Sequence, residues 1–249
     1  MTGFLAAVQF LTRVPVRLAR APEPTAAVPW FPVVGVLLGL AIGGIAAGLG
    51  ELVPFTVAAA VAVLLGVLMT GAFHEDGLAD VADAFAGGWT VEDRLRILRD
   101  PLHGSYGVAA LTGSILLRVV AVASLPPAAA VAGLVAAHAL ARSAAVAAML
   151  LLPVAGPSGL GADSARTLRR TPALLGITAG VGLSALAAGW WVGPAALAAV
   201  GAVLVVGLLA VRRIGGITGD VLGAIEQVAE CLVLVVVTGL AAHHAPWWA

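Results

Sequence analysis

Long stretches of this sequence carry almost no charge, and that constrains the fold more than any other feature. Residues 171–211 contain no charged side chain at all. A bilayer-spanning helix needs about 20 mostly apolar residues, because the hydrocarbon core is about 30 Å thick. Apolar runs of that kind predict seven spans: 28–50, 53–73, 105–125, 128–150, 172–190, 194–211 and 231–248, or six without the last. Within lipid every backbone polar group must find its partner inside the protein, which leaves helices or closed barrels. Runs of this length are helical, so the class is all-α, a polytopic integral membrane protein. The chain has 249 residues, 61% of them hydrophobic, with a mean hydropathy of +1.07. No soluble domain of useful size fits between the spans, so residues 1–249 read as a single transmembrane domain.

The turns between spans are legible too. Gly50-Glu51-Leu52-Val53-Pro54, Leu125-Pro126-Pro127 and Gly189-Trp190-Trp191-Val192-Gly193-Pro194 punctuate the runs. Charge then sets orientation. All thirteen basic residues are arginines. Arg13, Arg17 and Arg20 precede the first span; Arg94, Arg96 and Arg99 follow the second. Arg166, Arg169 and Arg170 follow the fourth, and Arg212 and Arg213 the sixth. With seven spans these loops share one side, which the positive-inside rule makes the cytoplasm. Residues 74–104, 151–171 and 212–230 are then cytoplasmic. The segment Phe4 to Arg20 reads as an interfacial helix. Its arginines follow the apolar patch, the reverse of signal-peptide order. A short helix should begin at Thr90, capped with Asp93, and end before Asp100-Pro101. The lone Cys231 reads as a small buried hydrophobe.

Charged residues are 10% of the chain, yet four carboxylates, Glu75, Asp76, Asp80 and Asp83, crowd together after the second span. Asp76, Asp80 and Asp83 are spaced i, i+4, i+7 and share one helix face. With Glu75 and His74 beside them, they suit a hard divalent cation such as Mg²⁺, which takes oxygen ligands and often substrate phosphates. The alternative is a solvated face paired with Arg94, Arg96 and Arg99. A second constellation runs Arg212-Arg213-Ile214-Gly215-Gly216-Ile217-Thr218-Gly219-Asp220, with Glu226 and Glu230 following. Its arginines offer forks for phosphate, its glycines permit close backbone approach, and Thr218 or Asp220 can cap the next helix. The alternative is a glycine-rich turn with topological arginines. A third stretch is Arg99-Asp100-Pro101-Leu102-His103-Gly104-Ser105-Tyr106-Gly107, where His103 and Tyr106 read as structural. Arg118 and Arg142 fall inside spans, where a charge costs about 2.5–3.5 kcal/mol on insertion scales. Arg142, with His138 on its face, can point into the site. Arg118 is read as snorkelling towards the far interface.

Together these stretches resemble the cobalamin synthase family, the adenosylcobinamide-GDP ribazoletransferases, over nearly the whole chain. Phe73-His74-Glu75-Asp76-Gly77-Leu78-Ala79-Asp80-Val81-Ala82-Asp83 resembles the signature HxDGLADxxD, the most specific match. Phe10-Leu11-Thr12-Arg13-Val14-Pro15-Val16 resembles the family's opening, and Trp30-Phe31-Pro32-Val33-Val34-Gly35 its first-span entry. Arg99 to Gly107 resembles (K/R)DSRxGxxG, Gly215 to Asp220 with Glu226 resembles GGxTGD…E, and Leu140-Ala141-Arg142 fits an arginine in the fourth span. Two departures stand out: Pro101-Leu102 replaces the usual Ser-Arg pair, and Ala84 replaces a glycine.

The resemblance implies an Mg²⁺-dependent transferase in the bacterial cytoplasmic membrane, its active site on the cytoplasmic face. It would join α-ribazole, or its 5′-phosphate, to adenosylcobinamide-GDP with release of GMP, the last assembly step of the cobamide nucleotide loop. Carried onto this chain, it implies catalytic roles for Asp76, Asp80, Asp83 and His74, with the three aspartates as metal ligands. It implies substrate contacts at Arg13, Arg99, Asp100, Arg142, Arg212, Arg213, Gly215, Gly216, Thr218, Asp220 and Glu226. The partners are the two substrates and the bilayer; nucleic acid is not among them, and homo-oligomerisation stays open. Two other readings compete. A CDP-alcohol phosphotransferase of lipid synthesis would need a different aspartate spacing. A cation or organic-anion transporter would place acids or broken helices near the bilayer midplane.

Overall fold

The structure is a computed structural model that describes residues 2–17, 24–155, 160–245 and 247. Arg20, expected at the end of an interfacial helix, lies outside them. Among the described residues the chain is helical with no strand. In order the helices are α1 (Thr2–Leu11), α2 (Pro24–Ala27), α3 (Phe31–Gly50), α4 (Phe55–Thr70), α5 (Phe73–Gly87), α6 (Val91–Ile97) and α7 (Ser105–Ala123). There follow α8 (Pro127–Leu151), α9 (Leu160–Thr167), α10 (Arg170–Ala188), α11 (Val192–Ala202), α12 (Leu208–Ile214) and α13 (Gly219–His243).

By length and apolarity five stretches can cross a membrane: Thr25–Gly50, Ser105–Ala123, Pro127–Leu151, Arg170–Ile214 and Gly219–His243. Counting the bent pair α4 and α5 as one span makes six. The expected seven is not reached on that criterion, because the expected spans 172–190 and 194–211 fall in one helical stretch of 45 residues. That stretch is folded nonetheless. Gly180 packs against Ser143 of α8 and Gly207 against Leu152 just beyond it. Those contacts are about 14 Å apart along α8, against about 40 Å along a straight helix from 180 to 207. The reversal is at Gly189, whose φ of 60° no L side chain adopts readily. The last span also starts earlier than expected, at Gly219 rather than 231. The Thr218 hydroxyl accepts the Val221 N–H and caps it.

The most buried helix is α8, and α3 lies along it. Gly35, Gly39 and Gly43 recur every four residues on the contact face, and a Cβ at any of them would run into the backbone of His138, Leu134 or Val131. Small residues at this spacing let helix backbones touch, which gains dispersion contacts where lipid supplies no hydrophobic drive. The short helix at Thr90 forms as expected, its hydroxyl accepting the Asp93 N–H at 3.1 Å, and ends at Ile97. The apolar N-terminal segment is helical only over Thr2–Leu11. It docks on the start of α3 through Phe4 against Trp30 and Phe10 against Phe31, and on the start of α5 through Phe10 against Phe73.

One break was not legible in the sequence. Between α4 and α5 both Gly71 (φ 68°) and Ala72 (φ 58°) are left-handed, and the chain bends by 88°. Arg13 packs its guanidinium against Gly71 and donates its backbone N–H to the Met69 carbonyl at 2.7 Å. Past the bend, α5 runs outward across the bundle: His74 lies against Gly223, Gly77 against Asp220, and Asp83 against Gly104 and Gly107. The absence of a side chain at Gly77 lets α5 press on the first turn of α13. Helix α5 therefore starts among the cores of the spans and ends at the mouth, where α7 and α13 begin.

Candidate active site

At that mouth the aspartates of α5 separate into different roles. Asp76 is largely exposed and Asp80 mostly covered. His103, from the loop before α7, bridges them: Nε2 is 3.3 Å from Asp76 Oδ1 and Nδ1 3.3 Å from Asp80 Oδ1. Asp220, in the first turn of α13, adds its negative charge beside both. Asp83 is buried and holds backbone instead, its Oδ2 accepting the Gly104 N–H at 2.6 Å and its Oδ1 the Gly107 N–H at 2.9 Å. Asp83, expected as a third metal ligand on the Asp76 face, points its carboxylate at these backbone groups, and the third carboxylate near Asp76 and Asp80 is Asp220 of another helix. The Asp83 carboxylate instead anchors the start of α7.

The alternative of a face paired with local arginines is not what the geometry forms. Arg94 donates to the carbonyls of Arg213 and Trp89, and Arg96 pairs with Asp93. Three carboxylates crowded at a partly covered mouth repel one another, and the energetic remedy is a cation bound among them. The donors are hard carboxylate oxygens, the kind Mg²⁺ takes.

Arg99 and Asp100 are exposed, and Asp100 Oδ1 accepts the Leu102 N–H. Arg212 is exposed; Arg213 reaches the Phe85 carbonyl at 3.4 Å and so ties the end of α12 to α5. Gly215 is left-handed, with open space where a Cβ would stand. Gly216 differs. It is pressed on Pro153 and Ala155, where Ile217 donates to the Pro153 carbonyl at 2.8 Å and Ala155 donates to Ile217 at 2.9 Å. The expected backbone approach to a ligand at Gly216 is therefore used by the protein's own chain. Arg13 sits at the α4–α5 bend and is exposed.

Three expected site residues lie elsewhere. His74, Arg142 and Glu226 are buried, and they face inward. Arg142 Nη1 lies 2.6 Å from Glu226 Oε1, and His74 Nδ1 lies 3.5 Å from Glu226 Oε2. Arg142 and Glu226, expected as substrate contacts, and His74, expected as catalytic, are thus joined in an internal network. The same network corrects the reading of Arg118. It does not snorkel outward; its Nη1 is 3.0 Å from Glu230 Oε1 and its Nη2 3.0 Å from Glu75 Oε1. His138 completes the network, 2.9 Å from Glu230 Oε2. Residues 226 and 230, expected in a cytoplasmic loop, are inside the bundle on α13. The signal that could have found this was charge in apolar runs, since an ionisable group buried among spans calls for a named partner. Nothing local could have revealed His103 as the bridge, because its partners lie some 25 residues away on another helix.

The family model for cobalamin-5-phosphate synthase matches residues 3–238. An adenosylcobinamide-GDP ribazoletransferase of Ralstonia pickettii is 40% identical over 243 residues, covering 92% of this chain and 91% of the relative. That of Shewanella frigidimarina is 38% identical over 257 residues, with 95% of each chain covered. That of Bradyrhizobium diazoefficiens is 41% identical over 240 residues, covering 92% and 90%. No solved structure matches. A match of this length, with the aspartates of α5, the glycine turn before α13 and the loop before α7 meeting at one mouth, means that the chain belongs to the cobalamin-5-phosphate synthase family.

Proposed function

We propose that this protein joins α-ribazole, or its 5′-phosphate, to adenosylcobinamide-GDP and releases GMP, at an Mg²⁺ site on the cytoplasmic face of a bacterial inner membrane. The observation that carries the reading is the convergence of Asp76, Asp80 and Asp220 from two helices onto one mouth, bridged by His103. Family membership supplies the substrates named for its relatives. The arginine-rich loops around the same mouth support the cytoplasmic assignment.

In this reading Asp76 and Asp80, with Asp220, would hold Mg²⁺. The ion would neutralise charge on the diphosphate as GMP leaves. A ribazole hydroxyl attacks the phosphorus distal to guanosine. The new O–P bond forms as the bond to the GMP phosphate breaks, and the hydroxyl proton passes to a carboxylate of the mouth. Arg212 and Arg99, exposed at the rim, bind phosphate oxygens and orient the diphosphate. Such catalysis is positioning and electrostatics more than covalent chemistry. The partly covered mouth strengthens every one of these interactions relative to water.

The test mixes purified protein, both substrates and Mg²⁺, and follows GMP. Release that needs all three supports the reading. Release of CMP from a CDP-alcohol, with no GMP from the cobinamide substrate, would replace it with lipid phosphotransfer.

A further inference from the structure

The buried charges below the mouth lie within the membrane-spanning core, where each is costly, and the acid site does not use them directly. Arg118 of α7 is 4% exposed and forks to two helices at once, Glu75 of α5 and Glu230 of α13. Its Nε leans on the Ser114 carbonyl at 3.4 Å, which fixes the plane of the fork from its own helix. Glu230 is also held by His138 of α8. Four helices therefore meet through one guanidinium and one carboxylate. A hydrophobic cluster of the same volume would pack as well and cost less. Charge adds direction, because a planar guanidinium donates to two carboxylates only in one orientation.

The direction matters because Glu75 shares a rigid helix with the acids of the mouth. Two carboxylates of α5 tie it to α7 and the turn before it. Arg118 holds Glu75 at the inner end, and the Gly104 and Gly107 N–H groups hold Asp83 at the outer end. Asp76 and Asp80 lie between these ties. The tied residues 75 and 83 are separated by little more than two helical turns, about 12 Å. A slip of α5 by one residue shifts its carboxylates by about 1.5 Å and turns them by about 100°. Either motion would carry Asp76 and Asp80 away from Asp220. The left-handed Gly71-Ala72 bend supplies no covalent stiffness against such a slip.

We propose that Arg118 is a positioning residue for the acid site, which it controls by holding Glu75 and thereby the register of α5 against α7 and α13. The proposal rests on the reading of Asp76 and Asp80 as the metal-holding acids. Arg118 touches neither substrate nor metal.

The experiment uses full-length protein in lipid nanodiscs, with Cys231→Ser as background. Spin labels at Ala86 of α5 and Leu197 of α11, both exposed, report the place of α5. Labels at Leu40 of α3 and Leu197 serve as control. Arg118→Lys keeps the charge and loses the fork; Glu75→Gln keeps the volume and weakens the pair. Both are expected to shift or broaden the α5 distance by about 2 Å or more and leave the control distance unchanged. Both should also raise the Mn²⁺ concentration for half-saturation, read by the signal of the bound ion, by about tenfold. Turnover should fall in kcat more than it rises in KM. An unchanged α5 distance with lowered activity would overturn the proposal, because Arg118 would then act in another way. A shifted α5 with unchanged ion binding would overturn it equally. Collapse of both variants to unfolded protein would make the fork a folding requirement and sink the positioning role. The distance readout needs no turnover. Wild-type protein that releases no GMP while Arg118→Lys still shifts α5 and weakens Mn²⁺ would count against the proposed reaction alone.

Discussion

Single residues carry most of the chemistry here, and each does so through the company it keeps. Asp76, Asp80 and Asp83 lie within about two turns of one helix, yet only the first two face the open mouth. Asp76→Asn and Asp80→Asn keep size and remove charge. Each should lower kcat by about a hundredfold or more in the GMP-release assay, the scale of losing one preorganised charge-stabilising group, with unchanged accumulation in the membrane. Near-normal turnover in Asp76→Asn would remove it from the site. Asp83→Asn should behave differently, because one oxygen still accepts an N–H. Its loss should appear as lowered thermal stability. Deeper in the bundle, Arg142→Leu removes the closest charged partner of the buried Glu226 carboxylate. Removing one partner of a buried pair costs about 3–5 kcal/mol, while replacing both by apolar groups is often neutral or better. The double variant Arg142→Leu with Glu226→Leu should therefore unfold at a higher temperature than the single one.

At the scale of elements, most helices follow from periodicity, capping and punctuation, and the exceptions are the working parts. The α4–α5 bend sits at Gly71-Ala72, where the run 53–73 reads as one continuous span in the sequence. A residue such as Ala72 in the left-handed region is held there by its surroundings, not by its own preference. Ala72→Gly should relieve that strain and stabilise by about 1 kcal/mol, raising the thermal midpoint. A fall would mean that the bend is not strained. The glycine turn before α13 shows the same tension between sequence and structure. Gly215 and Gly216 look alike as neighbours in the chain, but one is left-handed and open and the other is pressed on Pro153 and Ala155. Gly216→Val should cost about 1–3 kcal/mol through overpacking, with KM for the nucleotide substrate unmoved in the fraction that folds. A selective rise in KM would restore Gly216 to the ligand's side.

For the whole molecule, the arginine distribution and the packing together predict topology. Cysteines at Trp89, Leu102 and Arg212, all exposed, should be labelled from one side of the membrane by an impermeant reagent. A cysteine at Leu52, in the exposed turn between α3 and α4, should be labelled from the other. Labelling of Trp89 and Leu52 from the same side would break the alternation of spans on which the site depends. The all-helical membrane class, the reversal near Gly189, the Thr90 cap and the acid-rich segment of α5 were all decided by the sequence. Each is a local matter: length of apolar run, a glycine free to adopt positive φ, a hydroxyl three residues from an amide. The family, too, was legible in motifs that are contiguous in the chain. Tertiary structure alone decided that the chain bends between α4 and α5, that Asp220 and His103 join Asp76 and Asp80, and that Arg118, Arg142, Glu226 and Glu230 pair inside the bundle. Those facts depend on which helices become neighbours, and neighbour choice is settled by the packing of whole faces such as Gly35, Gly39 and Gly43 on α8. A buried charge announces that it needs a partner, but only the packed bundle says which of several distant candidates arrives within 3 Å.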